Sequence, residues 1–137
     1  MTLTLHETAP EASLREIVAA VRTFNHETTG LPRGRAFSVE IRDEAGALLG
    51  GLAGDLWGNA FHLNALWLRE DLRRTGHGSA LVRRAEEFAR AQGATVAYVE
   101  TLSFQARPFY EKHGYGVFGT IEEIAPGVEY YFLSKRL

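Results

Sequence analysis

The sequence predicts an α+β domain with a mixed, mostly antiparallel sheet and flanking helices. Three observations lead to this fold class. Segments of alternating apolar and polar residues occur before, between and after stretches with a helical apolar stripe. Three of these alternating segments follow one another with only short turns between them, which favours antiparallel pairing. The strand, helix and strand at residues 60–101 are predicted to form the one parallel crossover of the fold.

The N-terminal part of the chain contains a predicted strand and a predicted helix. Residues 2–7 alternate leucine with polar residues, which is typical of a strand. Thr8 followed by Glu11 three residues later predicts a capping-box start, and an apolar stripe then extends a helix to about Asn25. Residues 26–35 are polar and contain glycine and proline, so we expect a loop there.

A three-stranded meander and a second amphipathic helix follow. The strands are predicted at residues 37–42, 47–55 and 60–68, with turns between them. The next helix has an apolar face that includes Leu81 and Ala85. Glu86 and Arg90 are expected to pair on its solvent face, because residues four apart are neighbours on a helix.

The C-terminal part completes the sheet. We expect a strand at residues 95–101, a helix at 105–113 and a hairpin formed by residues 115–124 and 128–135. The complete order is β-α-β-β-β-α-β-α-β-β. No repeat, low-complexity tract or linker interrupts it, so the prediction is one domain over residues 1–137.

Composition excludes several classes of function. A net charge of −2 argues against nucleic acid as a principal partner, since binding to a phosphate backbone needs a broad basic surface. No segment resembles a signal peptide or a membrane span, so a cytoplasmic location without membrane association is expected. The histidines show no metal-ligand spacing with acidic residues, and we expect no metal. The chain has no cysteine and therefore no thiol nucleophile.

The segment between the third meander strand and the following helix is the most informative part of the chain. Arg73 and Arg74 precede two closely spaced glycines, Gly76 and Gly78, and a helix then begins. Glycines at the start of a helix allow a ligand to approach the backbone, and the first N–H groups have no partner within the helix. The positive end of the helix dipole adds to the attraction of an anion. This segment therefore predicts a phosphate cradle.

Two common phosphate motifs do not fit this segment. A Walker motif needs a lysine followed by serine or threonine after its second glycine, and Gly78 is followed by Ser79 and Ala80. A dinucleotide fingerprint needs a third glycine in register near the start of the fold, which is absent here.

Two signatures in this sequence resemble those of the GNAT superfamily of acyl-CoA N-acyltransferases. The run Arg73-x-x-Gly76-x-Gly78 after a strand resembles the family's pyrophosphate loop. Residues 103–115 resemble its other signature, a short helix that ends in an aromatic-Tyr-x-Lys-x-Gly-aromatic run. The two occur in the family's order and spacing, and the resemblance covers residues 37–137. The residues that match the second signature are Ala106, Phe109, Tyr110, Lys112, Gly114 and Tyr115.

The resemblance implies the GNAT fold, in which the two parallel strands splay apart and acyl-CoA enters between them. The backbone of residues 66–68 would then pair with the pantetheine arm, and the N–H groups of residues 74–79 would face the pyrophosphate. Ser103 stands where the family more often has an asparagine that contacts the cofactor. The cofactor-binding residues predicted in this way are Leu66, Trp67, Leu68, Arg73, Arg74, Thr75, Gly76, His77, Gly78, Ser79, Ser103 and Tyr110.

The resemblance also implies catalytic roles. Attack of an amine on a thioester expels a thiolate, and Tyr110 stands where the family often has the tyrosine that donates a proton to it. The family often has a glutamate base on the strand before the glycine loop, but residues 61–65 contain no carboxylate. Glu100 is the base that we predict, with His62, Asp55 and a chain of waters as alternatives.

These observations together predict an N-acetyltransferase that moves an acetyl group from acetyl-CoA to a primary amine by direct transfer in a ternary complex. The acceptor would be a small-molecule or peptide amine, and a homodimer is a further expectation from the resemblance. Two alternatives remain. One is a catalytically silent acyl-CoA-binding or sensor module, which the missing strand carboxylate and Ser103 favour. The other is an acyltransferase that uses another acyl-CoA.

Overall fold

The computed structural model describes all 137 residues, which divide into two compact units, Met1–Arg33 and Gly34–Leu137. No helix of the chain combines the length and the apolarity that a membrane span requires. The first unit contains α1 (Glu11–Thr29). The second unit contains β1 (Arg35–Arg42), β2 (Leu48–Trp57), β3 (Ala60–Leu68), a 3₁₀ turn (Glu70–Leu72), α2 (His77–Ala91), β4 (Val96–Leu102), α3 (Arg107–Lys112), β5 (Gly116–Ala125) and β6 (Val128–Arg136).

The N-terminal unit differs from the prediction at its start. Residues 1–10 contain no strand, so the strand predicted at residues 2–7 is wrong. Two alternating leucines do not hold an extended segment when no strand pairs with its backbone. The capping box is also wrong, because Pro10 occupies the N-cap position and no side chain caps α1. The helix ends at Thr29, where Gly30 adopts a left-handed conformation with φ 68°.

The second unit is built on a six-stranded sheet with the order β1-β2-β3-β4-β6-β5. All neighbouring strands pair antiparallel except β3 and β4, which pair parallel across the α2 crossover. The predicted fold class is therefore confirmed: the sheet is mixed and mostly antiparallel, with one parallel strand pair and flanking helices.

The core of the second unit lies between the sheet and α2. Residues 60–63 of β3 and residues 96–102 of β4 alternate between buried and partly exposed positions, as expected for strands with one covered face. Phe61 and Leu63 on β3 are fully buried on the covered face. They pack in one cluster with Val82 and Ala85 of α2 and with Leu133 of β6. Because His62 alternates with Phe61 and Leu63, it lies on the opposite face of the sheet.

Glu86 on α2 is buried, contrary to the expected solvent-exposed pair with Arg90. Only 2% of Glu86 is exposed, and its carboxylate is held by Lys135 of β6, with Nζ 3.0 Å from Oε1. Arg90 reaches Oε2 only at 3.9 Å. Helical spacing alone does not predict the burial of Glu86, because its main partner, Lys135, lies 49 residues away in the sequence.

We expect Lys135→Met to destabilise the protein by about 3–5 kcal/mol, because it leaves the Glu86 carboxylate buried without its nearest cation. Urea unfolding followed by circular dichroism measures the change. The double variant Glu86→Leu, Lys135→Met removes both charges and should recover most of the lost free energy of unfolding. A Lys135→Met protein as stable as the wild type would show that this buried pair contributes nothing to the free energy of unfolding.

Candidate active site

The segment predicted as a phosphate cradle lies at the junction of β3 and α2. After the 3₁₀ turn the backbone passes through Arg74, with φ 60°, and Gly76, with φ 87°. Such a φ favours glycine, so Gly76 sets the direction in which α2 begins. The first intrahelical hydrogen bond is donated by Ala80 N–H to Gly76 O at 3.0 Å. The N–H groups of the preceding residues therefore have no acceptor within the helix and are free for an anion.

Gly78 is the point at which the start of α2 packs against its neighbours. A Cβ at this position would lie 3.4 Å from Leu68 Cδ1 and 3.4 Å from two ring carbons of Phe109. Gly78 is therefore a buried contact point between the end of β3, the start of α2 and the Phe109 side chain of α3. The two predicted signatures are therefore in contact, one on each side of the cradle.

A cavity of about 700 Å³ opens in front of this loop, a volume in the range of pockets that bind cofactors. Arg73 is one of the residues that line this cavity. The Arg73 Nε donates a hydrogen bond to Leu68 O at 3.1 Å, so the guanidinium lies across the end of β3. The predicted cofactor-binding residues that line this cavity are Leu66, Leu68, Arg73, Arg74, Gly76, Gly78 and Ser79.

The parallel strands β3 and β4 separate beyond the middle of their length. Their last paired residues are Leu63 and Val99, although β3 continues to Leu68 and β4 to Leu102. Beyond this pair β3 stays hydrogen-bonded to β2 on its other side. Its backbone groups on the side of β4 consequently have no strand partner and are available to an extended ligand.

A β-bulge marks the place where the strands begin to separate. Leu63 pairs with Gly54, and Ala65 pairs with the preceding residue of β2, so that Asn64 is the extra residue on β3. The Asn64 amide donates a hydrogen bond to Asp55 Oδ2. This bulge was not predicted, although the polar–apolar alternation of β3 ends at Asn64 and residues 65–68 are all apolar.

A second cavity of about 580 Å³ occupies the opening between β3 and β4 and adjoins the first. Leu66, Leu68 and Arg73 belong to the walls of both cavities. Trp67 and the two predicted catalytic residues, Glu100 and Tyr110, line the second. The structure therefore brings the predicted catalytic residues to one cavity, next to the cradle.

Tyr110 is fixed in the wall of this second cavity. Only 5% of the residue is exposed, and its ring packs edge-on against Phe109 and Tyr115, with centroid distances of 5.3 and 5.8 Å. Burial raises the pKa of Tyr110 to about 12, because the phenolate loses hydration. Tyr110 is therefore a neutral phenol at physiological pH and can donate a hydrogen bond to a charge that develops beside it.

Glu100 lies at the first position of β4 beyond the last pair with β3. Its Oε2 lies 2.7 Å from His62 Nε2 of the neighbouring strand. Asp55, the third base candidate from the sequence, accepts a hydrogen bond from Asn64 and lines neither cavity. Two of the three candidates thus form a single hydrogen-bonded pair at the cavity.

Three residues predicted to bind cofactor line neither cavity. Thr75 and His77 contact each other, with 2.6 Å between Oγ1 and Nδ1. Ser103 joins the end of β4 to the start of β6: its N–H donates to Glu129 O at 2.8 Å, and its Oγ accepts from Glu129 N–H at 3.1 Å. The backbone of Thr75 and His77 still belongs to the loop, whereas the Ser103 side chain has a structural partner.

Two polar residues in the walls were not assigned a role from the sequence. Gln105 lines both cavities, and its Oε1 accepts a hydrogen bond from Leu102 N–H at 2.9 Å. Lys112 brings a cation from α3 to the first cavity, which contains the cradle. Lys112 is the lysine of the aromatic-Tyr-x-Lys run, so the signature already contained this third cation, beside Arg73 and Arg74.

Comparisons with known proteins agree with this architecture. The model of the Acetyltransferase (GNAT) family matches residues 4–115. Blasticidin-S acetyltransferase from Streptomyces morookaense is 39% identical over 95 residues, which cover 69% of this chain and 70% of that protein. An acetyltransferase from Agrobacterium fabrum is 26% identical over 136 residues, 99% of each chain. The crystal structure of an acetyltransferase from Bacillus cereus has a TM-score of 0.83 at 29% identity, over 98% of both chains.

A sheet with one separated parallel pair beside a glycine-rich helix start, together with these matches, defines an acetyltransferase. The chain belongs to the GNAT acetyltransferase family. The resemblance carried by the two signatures is confirmed, and so is the fold that it implied. Acetyltransferases of this family use acetyl-CoA as the acyl donor.

Proposed function

We propose that this protein transfers the acetyl group of acetyl-CoA to a primary amine, directly and within a ternary complex. The observation that carries the proposal is the pair of adjoining cavities. The first is lined by the glycine-rich loop that we propose as the anion cradle, and the second is lined by Glu100 and Tyr110. A long donor with a polyphosphate end and a thioester end needs two such connected sites.

The donor would occupy both cavities. Its pyrophosphate would accept hydrogen bonds from the loop N–H groups of residues 74–79, with Arg73, Arg74 and Lys112 as cations around it. Its pantetheine arm would pair with the unpartnered edge of β3 at residues 66–68. A backbone N–H of that edge would also hold the thioester oxygen as negative charge develops on it.

The chemistry would then require two side chains. The amine nitrogen forms a bond to the thioester carbonyl carbon, and Glu100 accepts the proton that the nitrogen loses. The carbon–sulfur bond breaks, and the thiolate accepts a hydrogen bond from the Tyr110 phenol. Because burial raises the pKa of Tyr110 to about 12, we expect this donor to act mainly through a strong hydrogen bond to sulfur.

Direct transfer is favoured because the 137-residue sequence contains no cysteine that could carry an acetyl group as an enzyme thioester. The acceptor class follows from the relatives. Since a blasticidin-S acetyltransferase is 39% identical over most of the chain, we propose a small-molecule amine as the acceptor, with a peptide amine as the alternative. We further propose that residues 1–137 act as one N-acetyltransferase domain, which the family match from residue 4 to residue 115 supports.

The test is an acceptor panel with acetyl-CoA as the donor. Blasticidin S, simple alkyl amines, a polyamine and a short peptide are incubated separately with the protein, and mass spectrometry and a thiol assay follow the products. We expect one acetyl group on an amine and one free CoA thiol for each turnover. Tight binding of acetyl-CoA without transfer to any amine would favour the silent acyl-CoA-binding module, and faster turnover of a longer thioester would favour another acyl donor.

A further inference from the structure

His62 and Glu100 form a hydrogen-bonded pair on the face of the sheet opposite α2. His62 Nε2 lies 2.7 Å from Glu100 Oε2, and 27% and 21% of the two side chains are exposed. An ionised carboxylate can only accept hydrogen bonds, so His62 must carry its proton on Nε2 when Glu100 is charged. The contact is then charge-assisted, and it fixes one carboxylate oxygen while Oε1 has no partner in the protein.

The two residues stand on either side of the point where β3 and β4 separate. His62 belongs to the paired region, where it is directly opposite Tyr98 of β4. Glu100 follows the last paired residue, Val99, and lines the second cavity. A side chain held by a hydrogen-bonded strand pair thus orients a carboxylate that projects into the open part of the sheet.

The surroundings of His62 fix its ring. The Tyr98 ring stacks on it with a centroid distance of 4.3 Å and an interplanar angle of 4°. Asp55 is opposite His62 on β2, but its carboxylate accepts the Asn64 amide. Burial, followed by the charges of Glu100 and Asp55, raises the pKa of Tyr98, which therefore stays neutral. The titratable groups that face His62 are thus Asp55, Tyr98 and Glu100, and only Glu100 is hydrogen-bonded to it.

We infer that His62 is a positioning residue for Glu100, which it holds ready to accept the proton released when the amine attacks the thioester. This inference rests on the proposed function. One N–H proton passes to the free oxygen of Glu100, directly or through one water, as the carbon–nitrogen bond forms and the carbon–sulfur bond breaks. The donated hydrogen bond from His62 keeps the carboxylate oriented before the attack.

The test compares His62→Ala, His62→Gln, Glu100→Gln and the double variant His62→Ala, Glu100→Gln. Each is assayed with acetyl-CoA and blasticidin S, or with whichever amine of the panel the wild type acetylates fastest. We expect His62→Ala to lower kcat/KM for the amine about 10- to 100-fold, the scale of a hydrogen bond to a charged group. Glu100→Gln should lower it about 10²- to 10⁴-fold. His62→Gln retains an N–H donor and should recover part of the loss.

Two readouts separate positioning from a merely structural role. The KM for acetyl-CoA should change less than about threefold, because His62 lies outside the cavity that contains the cradle. Removing His62 should cost little further activity when Glu100 is already Gln. Ser134→Ala, opposite Tyr98 on β6, is the matched control and should behave as the wild type.

Two results would overturn the inference. Wild-type activity in His62→Ala, or losses that simply multiply in the double variant, would show that His62 does not act through Glu100, while the proposed function would stand. A wild-type protein that acetylates no amine would overturn the proposed function, and this inference with it.

Discussion

Gly78→Asp is expected to lower the affinity for acetyl-CoA by at least about 100-fold, which corresponds to about 2.7 kcal/mol. The new side chain would start 3.4 Å from Leu68 and Phe109 and would place a carboxylate in the cradle among the N–H groups meant for a phosphate. Two negative charges about 4 Å apart repel each other by about 4 kcal/mol at a protein surface, which is enough for this loss. Calorimetric titration with acetyl-CoA measures the affinity of the variant and of the wild type.

The same substitution should not prevent folding. An aspartate in the first turn of a helix interacts favourably with the helix dipole, so that α2 should remain intact. Gly78→Ala is the matched control: it adds only the Cβ and should keep most of the affinity. A folded Gly78→Asp protein that binds acetyl-CoA within about twofold of the wild type would show that the pyrophosphate does not lie at this loop.

Tyr110→Phe is expected to lower kcat about 100-fold with little change in the KM for acetyl-CoA. The variant keeps the ring that packs against Phe109 and Tyr115 and removes only the hydroxyl that would stabilise the departing sulfur. Because burial raises the pKa of Tyr110 to about 12, the phenol persists as pH rises, and its ionisation should not produce a loss of activity below about pH 10. Steady-state kinetics from pH 6 to pH 10 measure both effects.

Tyr115→Phe provides a closely matched control. The Tyr115 hydroxyl is buried and has no hydrogen-bond partner in the protein, so its removal deletes an unsatisfied polar group. We expect unchanged kcat and a free energy of unfolding equal to or above that of the wild type. Equal losses of activity in the two variants would indicate a packing effect and would contradict a role for the Tyr110 hydroxyl in the reaction.

The glycine-rich start of α2 could be predicted from the sequence because its signals are local. Gly76 and Gly78 stand where the chain turns into a helix, and the N–H groups that such a start exposes do not depend on side-chain identity. The apolar period of α2 and the alternation of β3 and β4 are local signals too. They were sufficient for the fold class and for the position of the parallel crossover.

The features that were missed depend on partners distant in the sequence. Glu100 meets His62 across 38 residues, and Glu86 is buried because Lys135 reaches it from β6. Neither contact produces a periodic pattern of residues in the sequence. Ser103 is a similar case, since its hydroxyl serves the β4–β6 connection and not the cavity wall. The expected strand at residues 2–7 failed for a related reason, because alternation specifies a strand only when a partner strand is present.

Diffraction from crystals grown with acetyl-CoA tests the central claim most directly. We expect a pyrophosphate bound by the N–H groups of residues 74–79 and a pantetheine arm along β3 at residues 66–68. We also expect a thioester in the second cavity, between Glu100 and Tyr110. Electron density for the pyrophosphate at any other surface, or for an acetyl group outside the opening between β3 and β4, would contradict it.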